Sequence, residues 1–296
     1  MRLVRDQVRV RVPATSANLG PGFDTLGLAL GVWDEISVRA VAGETTVTVT
    51  GEGAGELPDG EGHLVVRAVR AGLEHAGAPQ AGLDLICHNV IPHGRGMGSS
   101  AAAVVAGLIA ARGLVSEPEA LDDDAVLTLA TQLEGHPDNA APALLGGATA
   151  AWVDALGPHA AAVPLHDDFA PTVLVPEHQL LTHTARAVLP REVPHSDAAF
   201  NVARTALLIL ALGGQTDLLM AATEDQLHQH YRADAMRETA EVVRALREAG
   251  WPAVISGAGP SVLVLDDLDA PTTGALTGHG WRVVRPGVPR AGAHLY

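Results

Sequence analysis

Hydrophobic and polar positions alternate along the beginning of the chain in the manner of β-strands. Every second residue is apolar in much of residues 8–14, 35–43 and 45–53. A period of two is typical of strands that bury one face. Residues 82–92 read as a further strand that leads directly into a run of glycines. The pattern therefore predicts a β-sheet in the N-terminal part of the chain.

Other segments carry apolar residues at the 3.6-residue period of an α-helix, and several of them stop at glycine. Helices are predicted over residues 63–77, 99–111 (closed by Gly113), 124–135, 196–212, 216–223, 234–249 and 269–279. Further strands are predicted over residues 148–153, 171–176, 253–256, 261–267 and 281–285.

These strands and helices mix irregularly and do not alternate strictly, which favours an α+β fold in two halves. Residues 154–168 are rich in Gly, Pro, His and Asp, and the domain boundary is placed there. The prediction is an N-terminal domain over residues 1–164 and a C-terminal domain over residues 165–296.

Composition adds limits on location and partners. The chain has 296 residues, 47% of them apolar, so it can bury a substantial core, yet no apolar run is long enough to span a bilayer. A single cysteine, Cys87, allows no internal disulfide, and the expectation is a cytoplasmic protein. A net charge of −15 argues against nucleic-acid and membrane partners, which require a basic surface.

All 19 cationic side chains are arginine, and the chain contains no lysine. This excludes a Walker-type P-loop and a protein kinase, since both use a lysine on the nucleotide phosphates. It also excludes enzymes that form a Schiff base through lysine, including those that use pyridoxal phosphate.

The run of glycines lies in "IPHGRGMGSSAAAVVAG", residues 91–107. It fails as a dinucleotide-binding fingerprint, because Ser99 stands where the third glycine belongs. One interpretation is a loop whose backbone amides surround phosphates, followed by the N-terminus of a helix. The other is a tight strand–helix turn in which a serine caps the helix. The loop by itself does not decide between them.

Two further stretches carry glycines and polar side chains. Residues 13–30 are predicted to form a ligand-contacting loop, because Thr15, Ser16, Asn18 and Asp24 lie there among glycines. Residues 255–261, "ISGAGPS", taken alone are better explained as a hairpin turn.

Residues 134–142, "EGHPDNAAP", bring together a carboxylate, an imidazole, a second carboxylate and an amide. Such a group can hold a metal ion or move a proton. The alternative is that Asp138 and Asn139 merely cap the next short helix.

Taken together, these stretches resemble the three motifs of the GHMP kinase superfamily of small-molecule kinases. "VPATSANLGPGFDTLG" is similar to the first motif, "PHGRGMGSSAA" to the phosphate loop and "ISGAGPS" to the third. Within the superfamily the chain resembles the homoserine kinase family, through "LEGHPDNAAPALLGG", "THTARAVLP" and "LHQHYR".

The resemblance implies ATP-dependent phosphorylation of the side-chain hydroxyl of L-homoserine to O-phospho-L-homoserine, on the way to threonine. It implies an N-terminal domain like domain 2 of ribosomal protein S5 and a ferredoxin-like C-terminal domain. Homodimers are common in the family, so a homodimer is among the expected assemblies. The rival hypotheses are another GHMP kinase, acting on mevalonate, shikimate or a sugar, and a non-catalytic relative that binds ATP or an amino acid.

The resemblance also implies roles for individual residues. ATP is expected at the phosphate loop, formed by Pro92, His93, Gly94, Arg95, Gly96, Met97, Gly98, Ser99, Ser100 and Ala101. Mg²⁺ is expected on Glu134 and on Ser100 or Ser99, whose hard oxygens this ion prefers.

For the acceptor, Asp24 with Asn18 beside it is expected to bind the ammonium group, and Arg186 and Arg232 the carboxylate. Thr182, Gly259 and His136 are expected near the substrate. Asn139 is expected to orient the hydroxyl, in a catalytic group with His136 and Asp138. The proton acceptor stays open among the γ-phosphate, His136 and water.

Overall fold

The computed structural model describes the whole chain, Met1–Tyr296, as two β-sheets with helices packed on and between them. The strands are β1 (Gln7–Ala17), β2 (Leu26–Val41), β3 (Thr46–Gly51), β4 (Gly82–Asn89), β5 (Ala148–Asp154), β6 (Gly157–Val163), β7 (Thr172–Val175), β8 (Ala253–Ile255), β9 (Val262–Val264), β10 (Arg282–Val284) and β11 (His294–Leu295). The α-helices are α1 (Leu64–His75), α2 (Ser99–Leu114), α3 (Asp123–Glu134), α4 (Ala140–Leu145), α5 (Thr182–Ala187), α6 (His195–Leu212), α7 (Leu219–Ala222), α8 (Gln229–Arg232), α9 (Arg237–Glu248) and α10 (Ala270–Gly278). None of the helices is both long and apolar enough to cross a bilayer.

The larger sheet has seven strands and is built around the long strand β2. Its main order is β11-β1-β2-β4-β3, and all pairs are antiparallel except β3 with β4. The first residues of β2 pair with β5 rather than with β4, and β5 in turn pairs with β6. The pairing of β1 with β2 shifts register between Pro13 and Ala14, where a β-bulge lies.

The smaller sheet has four antiparallel strands in the order β10-β7-β9-β8. The hairpin of β8 and β9 carries the turn at residues 256–261. This turn lies at the end of β1, because the Gly257 amide donates to the Ala17 carbonyl. The predicted hairpin is confirmed.

Helix α2 lies at the centre of the molecule, and twelve of its sixteen residues are buried. Its alanines and glycines allow close packing, since a Cβ at Gly107 would lie 2.6 Å from the Ala68 Cβ of α1. Leu208 and Leu212 of α6 belong to the same hydrophobic cluster as α2. One core therefore extends from the larger sheet to the helices beside the smaller one.

Two sequence-based predictions about local structure are wrong, and one strand was missed. Residues 13–30 are not one loop, since their two ends belong to β1 and β2 and only residues 18–25 lie between the strands. Strand β6, residues 157–163, was not predicted, and it gains its backbone hydrogen bonds from β5. Helix α2 continues past Gly113, because that glycine makes room for Leu295: its Cβ would lie 2.9 Å from the leucine side chain.

Candidate functional site

A cavity of about 710 Å³ lies where the two sheets meet. Its wall includes the glycine loop at residues 93–98, the start of α2, residues 133–139, the beginning of α5 and the turn at residues 257–258. Segments far apart in the chain therefore converge on one site.

The glycine loop has an alternating backbone that explains its composition. Gly94, Gly96 and Gly98 all have positive φ, at 61°, 66° and 67°. A Cβ would lie 2.3 Å from the Ser256 carbonyl oxygen at Gly96 and 1.9 Å from Thr15 Oγ1 at Gly98. Glycine is required there both for conformation and for space.

Helix α2 begins without a side-chain cap. Its N-cap is Gly98, and no side chain accepts a hydrogen bond from the first turn. The interpretation of a simple serine-capped turn is therefore wrong. The free amides and the positive end of a sixteen-residue helix face the cavity, an arrangement suited to binding an anion.

The other two glycine-rich stretches hold this loop in place. The Thr15 amide donates to the Met97 carbonyl (3.0 Å), and Ser256 Oγ donates to the Gly96 carbonyl (2.6 Å). The Gly257 amide in turn donates to the Ala17 carbonyl (3.1 Å). The three stretches form one hydrogen-bonded unit, although they are separated by up to 240 residues.

Arg95, the cationic side chain of the loop, is directed to the backbone of the neighbouring segment. Its guanidinium donates to the carbonyls of Pro176 (3.0 Å) and Glu177 (2.7 Å). With these donors used, Arg95 ties the loop to the end of β7. Positive potential at the loop therefore comes mainly from the backbone.

A serine and a carboxylate form a pair beside the start of α2. Ser100 Oγ donates to Glu134 Oε1 at 2.6 Å, whereas Ser99 Oγ lies 3.4 Å from His93 Nδ1. Burial raises the pKa of Glu134, and the Ser100 hydrogen bond partly offsets this. The chain has no cluster of three or more histidine, cysteine and acidic side chains in metal-binding geometry. A hydroxyl and one carboxylate fit Mg²⁺, which usually takes its remaining ligands from phosphates and water.

At the opposite end of the cavity, Asp24 and Arg186 form a two-pronged ion pair. Arg186 Nη2 donates to Asp24 Oδ1 (2.7 Å), and Nη1 donates to Oδ2 (3.1 Å). Asn18 supports the carboxylate, because its Oδ1 accepts the Asp24 amide (3.0 Å) and its own amide group donates to the Gly257 carbonyl. Both Asn18 and Asp24 have positive φ, a conformation that Asn and Asp tolerate better than most residues.

Arg232 is 1% exposed and lies beside this pair. Its Nε donates to the Ala185 carbonyl (3.1 Å), and Nη1 donates to the Gly257 carbonyl (3.2 Å). Burial lowers the pKa of Arg232 to about 10, and the nearby positive charge of Arg186 adds to the effect. The site therefore holds two positive charges, Arg186 and Arg232, close together, with the carboxylates of Asp24, Asp138 and Asp225 around them.

Residues 136–139 bring an imidazole, a carboxylate and an amide together. His136 Nδ1 and Asp138 Oδ1 are 2.5 Å apart. Burial lowers the pKa of His136, but the hydrogen bond and charge of Asp138 outweigh it, so the pKa lies above its ordinary value. Asn139 is the N-cap of α4 but makes no side-chain cap, so the helix-cap alternative is wrong for its side chain. Its Oδ1 accepts instead from Thr15 Oγ1 (2.8 Å).

Three of the predicted site residues do not line the cavity themselves, and one of them, Pro92, is buried just before the glycine loop. Asp24 reaches it through its ion pair with Arg186, and Gly259 lies behind Gly257 and Ala258, packed against Met236. Thr182 lines the cavity at the start of α5.

Sequence reasoning missed the end of the cavity beyond the glycine loop. Apolar side chains dominate there: Ile36, Leu57, Pro58, Leu64 and Val65. His63 is 4% exposed, and its Nδ1 has no hydrogen-bond partner in the chain. Asp34 also lines the cavity, and burial raises its pKa to about 6, although two backbone amides donate to it. These residues lie in ordinary strand and helix patterns, so no local signal marked them.

The chain is similar to characterised kinases over nearly its full length. The families described as GHMP kinases N terminal domain and GHMP kinases C terminal match residues 63–147 and 208–273. The homoserine kinase of Clavibacter michiganensis is 57% identical over 88% of this chain and 82% of its own length. That of Streptomyces coelicolor is 52% identical over 97% and 93%.

A crystal structure of homoserine kinase from Cytophaga hutchinsonii superimposes with a TM-score of 0.83 at 26% identity, and covers 99% of this chain and 98% of its own. The predicted two-domain GHMP kinase fold is thereby confirmed. The predicted boundary between residues 164 and 165 stays a prediction.

Proposed function

Since the chain belongs to the homoserine kinase family of GHMP kinases, we propose that it transfers the γ-phosphoryl group of ATP to the side-chain hydroxyl of L-homoserine. The product is O-phospho-L-homoserine, an intermediate on the way to threonine. The observation that carries the proposal is a single cavity with a backbone anion site at one end and paired opposite charges at the other.

The phosphates of ATP are assigned to the loop at residues 92–101. Its glycines hold the backbone in the alternating conformation described above, and α2 adds its N-terminal amides and dipole. The base is assigned to the apolar end of the cavity around Leu57, Leu64 and Val65, where a flat aromatic ring would be buried.

Ser100 and Glu134 are assigned to Mg²⁺, which would neutralise charge on the phosphates. Their 2.6 Å hydrogen bond places two hard oxygens together at the start of α2. The assignment is tested by Glu134→Gln, which removes the negative charge and keeps the shape. We expect the Mg²⁺ concentration needed for half-maximal activity to rise about tenfold or more, with the KM for L-homoserine unchanged.

The amino acid is assigned to the end that holds Asp24, Arg186 and Arg232. Asp24 and Arg186 neutralise each other through two hydrogen bonds. L-Homoserine carries both an ammonium and a carboxylate, so it offers each residue a new partner of opposite charge. Asn18 and Thr182 complete the proposed pocket, and Gly259 supports its wall from behind Gly257 and Ala258. Asn18 orients the Asp24 carboxylate through the Asp24 amide.

The reacting hydroxyl is assigned to Asn139, whose amide cannot accept a proton at neutral pH. Asn139 is fixed by Thr15 and lies next to Asp138 in the chain. His136 is assigned as the proton acceptor: its Nδ1 is bound to Asp138, and its Nε2 makes no hydrogen bond to the protein. Asp138 then stabilises the imidazolium that results.

We propose that the enzyme acts in the cytoplasm, because its one cysteine is buried and unpaired. The homodimer stays a prediction, which light scattering on the purified enzyme tests directly.

The proposed function is tested by a coupled ATPase assay over a panel of acceptors. We expect turnover with L-homoserine to exceed that with mevalonate, shikimate and galactose by at least 100-fold, with D-homoserine and L-threonine as controls. Faster turnover on an acceptor without an α-amino group would place the chain with another GHMP kinase activity. ATP binding without turnover on any acceptor would indicate a non-catalytic relative.

A further inference from the structure

His228 has no role in the mechanism above, yet it lies directly behind the substrate pocket. It is completely buried and stacks on Phe23, with ring centroids 5.2 Å apart. Its Nδ1 is 3.0 Å from Arg232 Nη1, and its Nε2 is 2.8 Å from the Gly20 carbonyl oxygen. Both ring nitrogens are therefore engaged.

The two contacts fix the tautomer of the ring. A guanidinium has only donors, so Nδ1 accepts from Arg232. A carbonyl has only acceptors, so Nε2 carries the hydrogen and donates to Gly20. Burial also lowers the pKa of His228. The imidazole is thus neutral, with its hydrogen on Nε2.

Charged groups lie on several sides of the ring, but none of them replaces the Gly20 carbonyl as the acceptor of the Nε2 hydrogen. The Asp225 carboxylate is 3.7 Å from Nε2 but accepts the backbone amides of Leu227, His228 and Gln229. Arg232 lies on the other side, and Asp24 is the remaining charge that acts on the ring. The carbonyl of Gly20 thus takes the ring hydrogen.

The contact with His228 also helps to fix the orientation of the Arg232 guanidinium. One Nη1 hydrogen goes to His228 and the other to Gly257, while Nε donates to Ala185. Only Nη2 makes no hydrogen bond within the chain, and Arg232 lines the cavity. The side chain is fixed so that one pair of donors stays available to a ligand.

We propose that His228 is a positioning residue: as a neutral acceptor it locks the Arg232 guanidinium with Nη2 facing the acceptor, and so sets the preference for a substrate that bears an α-carboxylate. The inference rests on the proposed function, because it requires an acceptor with that carboxylate.

The test compares two acceptors in the full-length enzyme, L-homoserine and 3-amino-1-propanol, which lacks the carboxylate. In His228→Leu, Arg232 loses its acceptor and its orientation. Hydrogen bonds to charged groups are strong enough for a 10- to 100-fold effect on kcat/KM. We expect that loss for L-homoserine, mainly through KM, and less than a twofold change for 3-amino-1-propanol and for the KM of ATP.

Two variants control for structural damage. His228→Gln can accept from Arg232 through Oε1 and donate to Gly20 through Nε2, and we expect it to recover most of the preference. Thr172→Val removes two hydrogen bonds at β7, one from Thr172 Oγ1 to the Asp266 carbonyl and one from the Leu268 amide to Oγ1. It should leave turnover of both acceptors unaffected. Thermal melts accompany each variant.

Equal losses on both acceptors in His228→Leu, or no loss on either, would overturn the role. The ring can also be observed in the wild-type enzyme by imidazole ¹⁵N NMR. A hydrogen on Nδ1, or an imidazolium at pH 7, would overturn it even if the leucine variant does not fold. A wild-type enzyme indifferent to the carboxylate would instead reject the proposed acceptor, and this role with it.

Discussion

The two ends of the cavity differ in the groups that they offer to the charges of the proposed substrates. At the proposed phosphate loop, a chain with a net charge of −15 offers backbone amides and a helix end, and the one arginine of the loop, Arg95, is directed to neighbouring carbonyls. At the amino-acid end it uses charged side chains, including Arg232 at 1% exposure. Backbone amides can bind a polyanion with little regard to its detailed shape. Charged side chains can recognise the separate charges of one small molecule. The first end should therefore tolerate changes of side chain, and the second should not.

The largest effect is expected where backbone shape itself is changed. In Gly96→Ala the new Cβ would lie 2.3 Å from the Ser256 carbonyl, at a φ of 66°. We expect kcat/KM for ATP to fall about 1000-fold or more, since the clash and the strain together displace the loop. Steady-state kinetics with varied ATP measures this.

The matched control is Gly250→Ala, at a φ of 90° with open space around the new Cβ. It should lower thermal stability slightly and leave kcat/KM unchanged. A Gly96→Ala enzyme with the ATP kinetics of the control would mean that the loop does not bind the phosphates.

At the other end, loss of Arg232 should affect only the amino acid. Removing one partner of a buried charged interaction costs roughly 2–5 kcal/mol, so we expect Arg232→Ala to raise the KM for L-homoserine 100-fold or more. The KM for ATP should change less than threefold. Arg247→Ala is the control, because Arg247 is partly buried and, like Arg232, donates to a backbone carbonyl, that of Met220. Equal effects of Arg232→Ala on both substrates would remove it from the pocket.

His136 lies between the two ends of the cavity, and its protonation should make kcat depend on pH. Because its pKa is raised, it is protonated at low pH and becomes able to accept the hydroxyl proton as pH increases. We expect kcat of the wild type to rise with pH through that pKa and then level off. His136→Gln should lower the plateau about 100-fold and abolish the rise. If the rise persists in the variant, the phosphate or water accepts the proton.

The smallest effect concerns stability without substrate. Asp24 and Arg186 are each about one-third exposed, and such ion pairs contribute no more than ~1 kcal/mol. We expect Asp24→Asn to shift the melting temperature by only about 2 °C but to raise the KM for L-homoserine about tenfold. A large loss of stability with an unchanged KM would make the pair structural.

The two ends of the cavity also differ in how far they could be predicted from the sequence. Glycines at 94, 96 and 98 encode backbone conformations directly, so the phosphate loop is visible in a few consecutive residues. The bond from Thr15 to Asn139 joins residues 124 positions apart, and the pair of Asp24 and Arg186 spans 162. No local pattern reports such contacts, and only the family resemblance brought Asp24, Arg186 and Arg232 into one pocket.

Secondary structure follows the same division between local and distant causes. The amphipathic helices were predicted because their period lies in the sequence. Strand β6 was missed because its alanine-rich pattern has no alternation, and its conformation comes from pairing with β5. His228 shows the limit again: its neighbour Gly20 is 208 residues away.

The hydrogen bonds of Arg95 restrict how the two halves of the molecule can move relative to each other. It fastens the glycine loop to the end of β7, while Ser256 fastens the same loop to the turn between β8 and β9. If the smaller sheet moved away as a rigid body, these hydrogen bonds would break and the proposed phosphate loop would lose its conformation. Exchange of ADP for ATP is therefore expected to proceed with both halves still joined, through the existing mouth of the cavity.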